Sequence, residues 1–146
     1  PTISYMDDNG MSRTLSQSYG DATVIAFVDQ PSSTPSSEVI RMSDALAADV
    51  TVVEICLSGK DKSAKGHEGL VKNQIIQGRN IISLSDHKGL IPTKFNNAKP
   101  NAVFLLDKNG IIRKQGELSE LNKIKNNIRN MVEEAERENE ALYSGG

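Results

Sequence analysis

"DATVIAFVDQPSSTPSSEVIRMSDALA", residues 21–47, is the stretch on which the fold turns. Residues 21–29 form a continuous apolar, β-branched run bounded by polar residues, the pattern of a strand covered on both faces. Val39, Ile40, Met42, Ala45, Leu46 and Ala47 then recur at helical spacing up to about Asp49. Between them lies a tight elbow of hydroxyl residues and prolines. Ser and Thr are preferred helix N-caps and Pro is preferred in a first helical turn. The segment 33–38 also offers a capping box, with Thr34 or Ser36 at the cap and Glu38 in the first turn.

Outward from this unit, "VTVVEICL" (50–57) and "NIISLS" (80–85) read as further buried strands. The second half of the intervening segment 58–78 has a helical pattern ending at Gly78, so strand and helix are expected to alternate. "GLIPTKFNN" (89–97) reads as a short helical segment interrupted by proline. Residues 101–116 are two extended runs joined at Asp107-Lys108-Asn109-Gly110, the strongest hairpin signal in the chain. A smaller hairpin is expected at residues 3–16 around Asn9-Gly10. From Glu117 to about Leu142, Leu118, Leu121, Ile124, Ile128, Met131, Val132 and Ala135 repeat at three and four, which predicts a long amphipathic helix packed on the sheet. Its end, about 140–146, is expected to fray.

At 146 residues the chain fits one domain, able to bury about two thirds of its unfolded surface. A net charge of −2 gives no electrostatic footprint for nucleic acid or anionic lipid. No window approaches the roughly 18 apolar residues of a membrane span, and "PTISYMDDNG" has neither a basic start nor an apolar core. A single cysteine, Cys56, excludes an intramolecular disulfide. The composition leaves the compartment open. A monomer is the expectation, with pairing through the distal, charged half of the last helix as the alternative.

The order of hairpin, β, α, β, α, β, short helix, β-hairpin and long helix resembles the thioredoxin-like superfamily. Its closest branches are the TlpA/ResA-type thiol-disulfide oxidoreductases and the AhpC/TSA-type peroxiredoxins. Three stretches carry the resemblance: "YMDDNGMSRTLSQSYGDATVIAFV" (5–28), the elbow, and "AKPNAVFLLDKNGIIRKQGEL" (98–118). The resemblance implies an α/β fold: a central mixed sheet flanked by helices, with the redox site at the start of the first long helix. It also implies an extracytoplasmic location, and a protein or peptide partner held in a groove near residues 32–37.

Where that family carries C-x-P-C, this chain reads Ser33-Thr34-Pro35-Ser36. In an alternative, peroxiredoxin-like alignment the peroxidatic position falls on Ser37. Neither alignment supplies a thiol. A helix N-terminus lowers a cysteine's pKa from about 8.5 towards neutrality and so makes a thiolate. A serine hydroxyl is far too weak an acid to gain from this, and oxygen cannot replace the sulfur attacked in disulfide exchange. The site is therefore expected to be redox-inactive.

Serine hydrolysis needs a positioned base, and the only histidines, His67 and His87, lie in polar loops. The resemblance implies that Pro100 is the family's cis-proline and that Thr34, Pro35, Lys99 and Pro100 border the partner. Glu54 is odd in a buried strand and is read either as a proton acceptor facing the elbow or as a paired carboxylate. Cys56 reads as a small buried hydrophobe, with a reactive thiol as the alternative. The mixed charges of Lys60, Asp61, Lys62, Lys65, Glu68 and Lys72 read as a solvated face. No cofactor is expected. Without cysteines in the elbow, His67 and His87 make no metal site.

Overall fold

A computed structural model describes residues 3–6, 10–29, 36–46, 49–57, 69–76, 79–86 and 89–144. Its elements are β1 (Ser4–Met6), β2 (Ser12–Thr14), β3 (Ala22–Val28), α1 (Ser37–Ala45), β4 (Thr51–Cys56), β5 (Gly69–Ile76), β6 (Arg79–Asp86), β7 (Ala102–Asp107), β8 (Ile112–Glu117) and α2 (Leu121–Ser144). Short 3-10 turns lie at Leu15–Ser18 and Ile91–Lys94, the latter within the expected proline-interrupted segment. The strands form one mixed sheet in the order β2-β1-β5-β6-β4-β3-β7-β8.

The apolar run at 21–29 supplies β3, in which every residue is buried. It pairs in parallel with β4 and antiparallel with β7, and β4 continues in parallel to β6. Alternation divides the core between the two sheet faces. Val24, Ala26, Val28, Val52 and Cys56 pack with Val39, Met42, Ile124 and Ile128 from α1 and α2. On the other face Ile25, Phe27, Val53, Ile55 and Phe104 meet Tyr5, Leu15 and Phe95. The rings of Phe27, Phe95 and Phe104 lie edge-on with centroids 5.3–5.7 Å apart, an arrangement worth about 0.5–1.5 kcal/mol per pair beyond burial.

The two expected hairpins are present. β1 and β2 pair antiparallel, and so do β7 and β8, the latter with an irregularity in register between Leu105 and Leu106. In the second turn, Asp107 Oδ1 accepts the N–H groups of Asn109 and Ile111, and Gly110 takes a left-handed φ of 77°. The ring of Tyr19 closes over that glycine: a Cβ added to Gly110 would lie 2.8 Å from Tyr19 Cε2. Half-buried there, the Tyr19 phenol is pushed by desolvation up to about 12. Lys108 in the same turn pairs with Glu138, tying the hairpin to α2.

Three expectations are corrected. The helix expected before Gly78 is the strand β5, paired in register with β6 from Gly69↔Asp86 to Ile76↔Arg79. Its apolar residues suit either period, and the pairing made available by a short connection at 77–78 decides for the strand. β5 also receives β1 in parallel, and so joins the first hairpin to the sheet. Second, α1 ends at Ala45 rather than near Asp49, with Leu46 already extended. Third, no peptide bond among the described residues is cis, so the bond before Pro100 is trans. The chain instead turns through Asn101, whose φ is 73° and whose N–H donates to the Phe27 carbonyl at 2.7 Å. α2 runs to Ser144. No helix among the described residues is long and apolar enough to cross a membrane.

Candidate functional site

Ser36 follows β3 through the elbow and caps α1. Its extended backbone (φ −64°, ψ 152°) lets Oγ accept the Val39 N–H at 3.2 Å, satisfying one of the donors left open at a helix start. In a capping box, a side chain three residues on would accept the cap residue's own N–H. That residue here is Val39, which cannot, and Glu38 stands exposed in the first turn. Glu54 of β4 takes the role, with the Ser36 N–H donating to its Oε2 at 2.8 Å.

The sheet register explains how Glu54 reaches this point. Val103, Ala26, Glu54 and Ser83 form one lateral row across β7, β3, β4 and β6 on the α1 face. Glu54 is 0% exposed. Its Oε1 accepts the Ser83 hydroxyl at 3.1 Å and the Cys56 thiol at 3.5 Å. Donors from three elements thus converge on one buried carboxylate directly beneath the start of α1. A buried carboxylate is tolerated only with such partners.

Of the residues singled out in the sequence, Ser36, Glu54 and Cys56 come together here. Ser37 is the first residue of α1 and is exposed. Ser33, Thr34 and Pro35 lie outside the described residues, as do His67, His87, Lys60, Asp61, Lys62, Lys65 and Glu68. Lys72 falls on β5 rather than a helix. Cys56 is 1% exposed, as its apolar reading implies. Ser83 was not anticipated. A serine in a strand carries little signal until register sets it beside Glu54.

Lys99 and Pro100 are both exposed, in the loop that returns beside the end of β3. They border a depression of about 280 Å³ with Asn96, Gln115 and Glu117. A larger concavity of about 430 Å³ opens against α1, between Glu38, Arg41 and Met42 on one side and Asn101, Glu117 and Leu121 on the other. Asn101 and Glu117 hold their places through the backbone. The Leu118 N–H donates to the Asn101 carbonyl at 2.9 Å, and the Glu117 N–H donates to Glu120 Oε1 at 3.2 Å. Lys123 beside Glu120 holds that carboxyl below the usual range.

No family model and no curated protein matches the chain. Solved structures do. A protein from Chlorobium tepidum assigned as thiol:disulfide interchange protein DsbE superposes with a TM-score of 0.62 at 17% identity, over 90% of this chain and 94% of that one. One from Bacteroides thetaiotaomicron assigned as a protein disulfide isomerase gives 0.61 at 16%, over 95% and 91%. BsSco, of the Sco family of cytochrome c oxidase assembly proteins and studied for a disulfide switch, gives 0.60 at 12%, over 90% and 92%.

Proposed function

We propose that this chain, thioredoxin-like in fold, carries out no dithiol–disulfide exchange at its helix-start site. Its structural neighbours are of the thiol-disulfide oxidoreductase kind. The chain has one cysteine, in β4 rather than in the elbow. The observation that carries the reading is the environment of Ser36. Its hydroxyl serves as a cap and its N–H is held by the buried carboxylate of Glu54, so the helix start bears a structural oxygen instead of sulfur. The serine hydroxyl keeps its proton, and no mixed disulfide can form on it.

A second reading, favoured by the concavity beside α1, is a module that holds a protein or peptide partner non-covalently. Thr34, Pro35, Lys99 and Pro100 would border that partner, with Arg41 and Glu117 presenting opposite charges to it. The two readings agree on chemistry and differ on what the site retains.

The test is turnover in insulin reduction and peroxide consumption, run on this chain and on a Ser33→Cys/Ser36→Cys variant. The expected result is no turnover by the chain and measurable turnover by the variant. Activity with the serines in place would overturn the proposal.

A further inference from the structure

We infer that the outer face of α2 is a self-complementary surface on which two copies of this chain associate about a two-fold axis. The observation is independent of the helix-start site. A groove of about 370 Å³ lies where the end of α1 meets the middle of α2. Its floor is apolar, formed by Ala45, Leu46, Ile128 and Val132. Its rim is charged in an ordered way: Lys125 and Arg129 come first along the helix, and Glu133 and Glu136 follow.

These rim residues recur at three- and four-residue spacing and therefore lie on one strip of the helix. Arg129 and Glu133 are spaced for an intrahelical pair, yet no ion pair joins the four rim residues to one another or to any other described residue. Arg129, Glu133 and Glu136 are exposed.

A strip that runs from positive to negative along its length is the pattern an antiparallel copy of itself matches. With the helices antiparallel, Lys125 of one copy meets Glu136 of the other and Arg129 meets Glu133. One two-fold axis crossing the strip between Arg129 and Glu133 satisfies both pairs at once. An isologous contact repeats each pair, so four ion pairs frame the apolar floor. Such framing fixes register and suppresses wrong alignments more than it adds raw affinity. The occupant is a second copy rather than an unrelated partner because the charge order is complementary to itself. The groove sits at the far end of α1 from Ser36, so association leaves the helix start open.

The test is light scattering and sedimentation of the whole chain over a concentration series at low and high salt. A dimer is expected, dissociating as salt rises. Lys125→Glu/Arg129→Glu and Glu133→Lys/Glu136→Lys should each weaken self-association by about tenfold or more, since four attractions become repulsions. An equimolar mixture of the two variants should form a heterodimer, because one strip is then wholly negative and the other wholly positive. Circular dichroism identical to the parent shows that each variant has folded. A parent that stays monomeric at all concentrations and salts overturns the inference. So does self-association that neither reversal alters, or a mixture that fails to pair.

Discussion

At Glu54, the loss of one carboxylate would strand donors from three places at once. Glu54→Ala leaves the Ser36 N–H and the Ser83 hydroxyl without their acceptor in a dry site, and the expected cost is about 2–4 kcal/mol of folding stability. Glu54→Gln keeps an acceptor oxygen and should lose clearly less. Urea midpoints of the three proteins measure this, and an alanine variant as stable as the parent would refute the role given to Glu54. At this scale the sequence was partly legible. A carboxylate inside an apolar strand announces itself, and a serine before a helix announces a cap. That Glu54 faces the elbow was one of its two readings; that it takes the Ser36 N–H was not legible, because the contact spans 18 positions in sequence and depends on the register of β3 against β4.

The β7–β8 hairpin shows at the level of an element what the Asp-Lys-Asn-Gly signal contained and what it did not. The left-handed glycine was readable from Asn109-Gly110, but the aromatic lid over it was not. Gly110→Ala meets both a backbone penalty and the ring of Tyr19, so a loss of about 2 kcal/mol or more is expected. Gly10→Ala supplies the comparison: its φ is also left-handed, at 78°, but nothing lies within 4 Å of the added carbon. About 1 kcal/mol, the conformational penalty alone, should be lost there. Equal losses in thermal or urea unfolding would show that Tyr19 does not press on the turn. β5 marks where reading by element failed. Leu70, Val71, Ile75 and Ile76 satisfy a helical spacing as readily as a strand, and only the neighbouring β6 settles which period is used.

For the molecule as a whole, Cys56 is a reporter placed by the fold. It closes the central strand β4 beneath α1 and is 1% exposed, so a thiol reagent should reach it only when the chain opens. Labelling followed by mass should be negligible in the native protein and should rise with urea in step with the unfolding transition. Rapid labelling without denaturant would show that the α1 face opens locally. The thioredoxin-like arrangement could be read from the sequence because the buried run of β3, the elbow and the final hairpin each have strong local patterns. The strand order was harder, since it depends on pairings between distant segments. That order also bears on synthesis. β3 lies inside the sheet between β4 and β7, yet its flank against β7 stays empty until Asp107 has cleared the ribosome. A nascent chain therefore carries this apolar strand half-partnered while the segment from β4 to β7 is made, and this is the interval in which chaperone binding has something to hold.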